Sequence, residues 1–462
     1  MTDISPILAR ADENLPSSLE RLFELVRIKS ISTDPAFKAA VRSGAEWLAA
    51  YLGTLGFAAS VRDTAGHPMV VAHQDAAAAG APHLLFYGHY DVQPVDPIEL
   101  WEDDPFSPAI KVAATGRKVI TGRGTSDDKG QLMTFLEACR AYKEVKGALP
   151  CRITILFEGE EESGSPSLKP FLEANAGELK ADYALVCDTG MWDPETPAIS
   201  AGLRGLVGEE IVVTAADRDL HSGMFGGAAA NPIHILADIL SGLHDPTGRV
   251  TLAGFYDGVE ETPEDVKASW EKLGASADRF LSEVGLSIPS GEAGRSVLEL
   301  TWARPTAEVN GITGGYTGEG FKTVIAAKAS AKVSFRLVGK QDPAAIRDSF
   351  RAYVRSRIPA DCSVEFHPHG GSPAIQLPYD SALLTKAKAA LSAEWPKPAI
   401  VVGMGGSIPI VGDFQKMLGM ESLLVGFGLS DDRIHSPNEK YELTSFHKGI
   451  RSWIRILDAI AA

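Results

Sequence analysis

Four short apolar runs each end on an acid or an imidazole, and that repeated placement constrains the chain more than any other feature. His83-Leu-Leu-Phe-Tyr87 leads into Gly88-His89-Tyr90-Asp91. Arg152-Ile-Thr-Ile-Leu-Phe157 leads into Glu158 and then Glu160-Glu161-Glu162. Tyr183-Ala-Leu-Val-Cys187 leads into Asp188, and Ser422-Leu-Leu-Val425 passes through Gly426-Phe-Gly428 to Asp431, Asp432 and His435. Such runs read as buried strands, and helical patterns fall between them, notably Lys129 to Val145. Strands alternating with helices predict an α/β fold with a mostly parallel sheet flanked by helices. In open sheets of that kind ligands bind beyond the carboxyl ends of the strands. Four strands would then deliver His, Asp and Glu to one edge.

The chain has 462 residues, and single cores usually stop growing near ~250–300, so two domains are expected. Leu15, Leu19, Leu22, Phe23 and Val26 recur at helical spacing and predict a first helix. A second covers Ala39 to Leu55 and ends at Gly56. The middle reads differently. Strands at Glu210–Thr214, Thr323–Ala327 and Ala331–Arg336 mix with helices at Pro232–Leu243 and Pro343–Ile358, while Thr262–Gly285 reads as a charged, helical, exposed insertion. The first pattern resumes near Ser381. The expectation is a discontinuous domain of residues 1–198 and 374–462, with an α+β domain, 199–373, inserted into it.

The net charge of −16 argues against a nucleic-acid partner or an anionic membrane surface, because both call for basic patches. The four cysteines, Cys139, Cys151, Cys187 and Cys362, form no C-x-x-C pair and are too few for a disulfide framework in a chain of this length. The first residues lack a basic segment followed by an apolar one, and no apolar stretch reaches the ~18 residues that span a bilayer. A cytoplasmic protein is expected.

A fifth segment, Gly122-Arg-Gly-Thr-Ser-Asp127-Asp128-Lys-Gly130, sets two acids at the start of the Lys129 helix, where the dipole favours them. Taken singly, each feature has a plain explanation: an H-x-D at a strand end is more often a loop hydrogen bond, and paired acids before a helix are as often simple caps. Convergence on one edge changes the balance. Adjacent ionised carboxylates after an apolar strand repel unless a cation offsets them. Imidazoles with carboxylates, and no thiolate, suit borderline or hard divalent ions. Five such ligands over-supply one tetrahedral ion, whereas two ions sharing a carboxylate and a water fit. A general base must stay free of metal, and adjacent Glu161 and Glu162 can divide the roles. His89 and Asp91 stand two apart, so an extended backbone points both one way, and Asp91 can take the other ring N–H of His89.

At these residues the chain resembles the M20 metallopeptidases, specifically their carnosinase-like dipeptidase branch. The matching stretches are GHYDVQP at 88–94, GRGTSDDKG at 122–130, FEGEEESGS at 157–165, CDT at 187–189, HSGMFGG at 221–227, GGYTGEGFKTVI at 314–325, SFRLV at 334–338, GGSIP at 405–409 and HSPNEKY at 435–441. The resemblance implies that Asp127 bridges two metal ions, that His89 and Asp188 complete one site, and that Glu162 and His435 complete the other. It implies Glu161 as general base, Asp91 as the partner of His89, and a cis peptide after Asp127. It further implies that the inserted domain is a lid and dimer interface. In a homodimer His221 would enter the other subunit's site to stabilise the oxyanion, with Thr323 beside it. Arg336 would grip the terminal carboxylate of a small peptide substrate, and Gly406 and Ser407 would contact that substrate. Two divalent ions per subunit are implied, zinc before manganese or cobalt. Glu160 departs from the pattern, because many relatives carry an apolar residue there, and so does Met404, where an acid often precedes the glycine pair.

The expected function is therefore hydrolysis of dipeptides or short peptides with a free C-terminal carboxylate, by a metal-bridging water with Glu161 as base. The alternatives are an N-acyl amino-acid deacylase or carboxypeptidase using the same metals and, more remotely, a non-catalytic metal-binding protein.

Overall fold

The four apolar runs become neighbouring strands that all run the same way. Arg152–Glu158, His83–His89, Tyr183–Val186 and Glu421–Val425 lie side by side in that order, each parallel to the next. Their β-branched and aromatic residues are buried almost throughout, as expected where helices cover both faces of a parallel sheet. Met69–Gln74 and then Ala58–Arg62 extend the sheet antiparallel on one side, and Ala198–Leu203 pairs antiparallel on the other. Register sets His89 opposite Glu158, so the two strands that carry the most polar residues end level with each other. These features come from a computed structural model that describes residues 3–76, 78–282, 284–404 and 409–462.

Helices seal the sheet. Phe135, on the helix Lys129–Lys146, stacks on Phe86 with ring centroids 3.8 Å apart. Trp453, on the helix Leu443–Ala461, meets Phe86 and Phe135 edge-on at 5.7 and 5.4 Å. Burying one such side chain is worth roughly 1.5–3 kcal/mol. The Lys129 helix stops at Gly147, whose φ of 72° is the left-handed cap that glycine favours. Its first residue follows Asp128 directly, so the fold brings the 122–130 segment to the sheet edge where the strands end.

The chain divides into two compact units: Met1–Ala201, Leu377–Val401 and Asp413–Ala462 in the first, Gly202–Gln376 and Val402–Gly412 in the second. The second is built on an antiparallel sheet in the order Thr306–Gly314, Lys328–Leu337, Gly205–Thr214, Ser363–Ser372. Alternate residues, among them Val333, Phe335, Val207 and Ile211, form its core with Leu236 and Ile239 of the helix Pro232–Ser241 and Phe350 of Pro343–Arg355.

Three sequence expectations differ here. Val402–Gly412 belongs with the second unit: Gly403 lies so close to Trp302 that a Cβ there would stand 2.4 Å from it. The strand expected at Thr323–Ala327 is shorter, Val324–Ile325, and it pairs antiparallel with Leu220–His221 in a separate two-stranded sheet. The 262–285 segment is helical at Glu264–Glu271 and Ala277–Ser282, but it is anchored: Trp270 is buried against Trp302, ring centroids 5.2 Å apart.

Candidate metal centre

Asp127 stands between two imidazoles. His89 Nε2 is 3.1 Å from its Oδ1, and His435 Nε2 is 2.9 Å from its Oδ2. Asp188 Oδ2 lies 3.9 Å from His89 Nε2, and Glu162 Oε2 lies 3.2 Å from His435 Nε2. Two groups of potential ligands result, His89–Asp127–Asp188 and Asp127–Glu162–His435, with ligand atoms within 4.8 Å of one another in each and Asp127 in both. His89 ends the strand His83–His89, Glu162 lies in the 3-10 turn Glu161–Ser163, Asp188 follows the strand Tyr183–Val186, and Asp127 precedes the helix Lys129–Lys146. His435 sits at φ 61°, a left-handed conformation that non-glycine residues rarely adopt. The Asp127–Asp128 peptide is cis.

Electrostatics fits this donor set to cations. Burial pushes the Asp188 carboxyl well above the ordinary carboxylate range, and Asp127, Glu161 and Glu162 add to it. Burial raises Glu161 as well, against the pull of His89. Burial would also raise Asp127, but hydrogen bonds with His435 and His89 outweigh it and hold the group below its usual range. Hydrogen bonds to Asp127 and then Glu162 lift His435 to about 10. Carboxylates outnumber imidazoles, so protons alone satisfy the cluster poorly, while a pair of divalent ions would neutralise it.

The neighbouring side chains hold this arrangement. Asp91 accepts from the amides of Glu161 (3.3 Å) and Glu162 (3.0 Å), which orients the turn bearing both acids. Its carboxylate is 3.5 Å from His89 Nδ1, which is nearer, at 3.2 Å, to the Asp91 carbonyl. Asp128 turns away from the cluster and accepts from the His89 amide at 3.1 Å. Glu160, the third acid of its run, also points elsewhere: it accepts from the amides of His67 (2.6 Å) and Ser167 (3.0 Å). That explains how the run tolerates three acids.

Of the residues expected in the second unit, His221 is exposed, and its Nδ1 accepts from the Gly223 amide at 3.0 Å. Thr323 is exposed on the adjoining chain, its carbonyl accepting from Ser222 N at 3.1 Å. Arg336 lies on the sheet face opposite the core, paired in register with Thr306 and Leu206. Arg204 is near enough that burial first, and then the charge of Arg336, lower its guanidinium to about 10. The carboxylate of Glu308 acts on the same guanidinium in the opposite sense. Gly406 and Ser407 lie outside the described residues.

Sequence reasoning missed several polar residues around the centre. Gln93 donates to Glu162 at 2.6 Å. Lys129 is fully buried, its ammonium lowered to about 7 by burial, and Nζ donates to the carbonyls of Leu25 and Ile28. Buried Glu439 accepts from Arg123 and from the amides of Gly124, Ser126 and Asp127. Asp432, which the sequence does place at this edge, is buried too and accepts from Ser126 Oγ at 2.9 Å and Lys440 Nζ at 2.8 Å. The available signal was adjacency: Gln93 and Glu439 stand four residues after His89 and His435.

The chain is 30% identical over 466 residues to the Cys-Gly metallodipeptidase dug1 of Schizosaccharomyces pombe, covering 98% of this chain and 97% of that one. It is 28% identical over 379 residues to the human Beta-Ala-His dipeptidase, covering 80% of this chain and 73% of the relative. The crystal structure of Sso-CP2, an M20 family metallo-carboxypeptidase from Sulfolobus solfataricus, superposes with a TM-score of 0.79 at 30% identity, covering 96% of this chain and 99% of that one. The pattern of Peptidase family M20/M25/M40 matches residues 85–459. That match takes in all four strand ends and the 122–130 segment, and on it the chain belongs to this peptidase family.

Proposed function

We propose that this protein is a metal-dependent dipeptidase that cleaves the amide bond of dipeptides or short peptides with a free C-terminal carboxylate. The observation that carries the reading is the membership of Asp127 in both ligand groups, an arrangement that suits a pair of ions on one bridging carboxylate. His89, Asp127 and Asp188 would hold one ion, and Asp127, Glu162 and His435 the other. When bound, such a pair lowers the pKa of water and polarises the scissile carbonyl. Zinc is the ion of this reading, with manganese and cobalt also suited to nitrogen and oxygen donors.

Glu161 belongs to neither ligand group, and burial raises its carboxyl, the direction that suits a general base. It takes the proton of the attacking water and passes it to the leaving amine. Asp91 keeps Glu161 and Glu162 in place through their amides. From residues 199–373, read as lid and dimerisation domain, Arg336 with Arg204 grips the terminal carboxylate. His221, with Thr323, stabilises the oxyanion in the site of a second copy, and Gly406 and Ser407 contact the substrate. The names of the dipeptidase relatives support this substrate class. Four free cysteines, three of them buried, suit a reducing compartment such as the cytoplasm. Among the described residues no helix is long and apolar enough to cross a membrane.

The test combines metal analysis of the purified protein with hydrolysis assays on unblocked dipeptides, N-acetyl amino acids and longer peptides. Close to two ions per chain and preference for unblocked dipeptides are expected. The likeness to a metallo-carboxypeptidase favours a second reading, cleavage of C-terminal residues from longer or N-blocked chains; preference for those substrates would replace the first reading with it. No stoichiometric metal would remove both.

A further inference from the structure

Glu439 stands out among the buried acids because three of the four donors to its carboxylate are backbone amides of one loop. Oε2 accepts from Arg123 Nη1 at 2.8 Å and from the Gly124 amide at 2.9 Å. Oε1 accepts from the amides of Ser126 and Asp127 at 2.9 and 3.1 Å. The side chain is fully buried, and the Glu439 carbonyl also accepts from Gly122 N at 3.1 Å. An ionised carboxylate offers about four lone-pair sites, and here all are used on one loop. Glu439 follows His435 by four residues, so its backbone belongs to the His435 loop while its carboxylate organises residues 123–127.

We infer that Glu439 is a positioning residue that locks the loop of Asp127 to the loop of His435 and so sets the geometry of the shared-carboxylate metal pair. This rests on the reading of Asp127 as bridging ligand. Asp432 makes a second tie between the same loops through Ser126 Oγ. The need for a lock follows from the layout: Asp127 and His435 sit on separate loops, and each reaches the cluster only if its loop is held. A carboxylate taking several backbone N–H groups can do this without occupying a ligand position. A glutamine cannot replace it, because its NH2 would face two donors wherever it was placed.

The test is Glu439→Gln, with Glu394→Gln as a control. Glu394 is another buried acid, accepting from Arg451, Arg455 and Lys448, and it touches none of the ligands. Metal-stripped proteins are titrated with cobalt(II), and binding is followed by calorimetry and by the visible absorption of the bound ion. The expected result is an affinity loss of about 10–100-fold and an altered absorption band in Glu439→Gln, the range usual for partners that orient a ligand. Glu394→Gln should melt at a lower temperature yet bind cobalt as tightly as the parent. Equal affinity and an unchanged spectrum in folded Glu439→Gln would overturn the inference. If that variant does not fold, Arg123→Lys weakens the grip on one oxygen only; a several-fold weaker affinity supports the lock, and unchanged affinity refutes it. A parent chain that takes up no cobalt would instead remove the reading of Asp127 on which the inference stands.

Discussion

His435 Nε2 lies 2.9 Å from Asp127 Oδ2, so residues far apart in the sequence meet on one carboxylate. His89 takes the other oxygen of that carboxylate at 3.1 Å. On the reading proposed above, losing this one group disables both cation positions together, whereas losing Asp188 or Glu162 disables one. Asp127→Asn should therefore bring metal content from about two ions per chain to well under one. Turnover should fall by more than the roughly 10–100-fold that removal of an outer partner costs. Metal analysis beside Asp188→Asn is the check, and two tightly held ions in Asp127→Asn would contradict the shared-ligand geometry.

Glu161 is flanked by a proposed ligand yet stands in neither ligand group. Its substitution should separate binding from chemistry. Glu161→Gln is expected to keep two ions and to lose about 10²–10⁴-fold in kcat, the usual contribution of a general base. Near-parental turnover in a fully metallated variant would reassign the base.

His221 lies in the second unit, exposed and held at Nδ1 by the Gly223 amide. If it serves the site of a second copy, His221→Ala should lose activity and retain metal. Mixed dimers of His221→Ala with Glu161→Gln should then regain activity, since one of their two sites carries both groups. Hybrids isolated by differential tags and found inactive would exclude action in trans.

What could be read from the sequence follows from which contacts are local. His89 with Asp91, and Glu161 with Glu162, lie at or within four residues of the ends of their strands, so strand pattern and chemistry point to the same positions. Four parallel neighbours then brought those ends together, as the alternation of strands and helices anticipates. Phe446, Ile450, Trp453 and Leu457 recur at helical spacing and make the helix Leu443–Ala461 equally legible. Gln93, Arg123, Lys129 and Glu439 were not legible in the same way. Each acts through a partner that is distant in sequence or through backbone amides, and neither leaves a periodic mark. Contact clustering groups Val402–Gly412 with the second unit, and Gly403 lies against Trp302 in the middle of the chain, a contact that leaves no mark in the local pattern. Glu160 looked like part of an acidic cluster because sequence adjacency does not tell which way a turn aims its side chains.

Glu394 offers a test of the scaffold that is independent of the metal reading. Burial would raise its carboxyl, but hydrogen bonds from Arg451, Arg455 and Lys448 outweigh it and hold the group below its ordinary value. A carboxyl whose pKa is lower in the folded chain than in the unfolded one contributes stability above the unfolded value, near ~4.3, and loses it as pH falls through the folded value. At pH 7 the Glu394→Gln variant should therefore be less stable by about 1.5–3 kcal/mol, the range for hydrogen bonds to a charged group. The gap should narrow below about pH 4 as the parental carboxylate protonates. Urea unfolding of both proteins in the presence of a chelator, at steps from pH 7 to pH 3, measures it without interference from metal release. Curves that stay parallel across that range would show that the Glu394 charge does not stabilise the packing of the C-terminal helix.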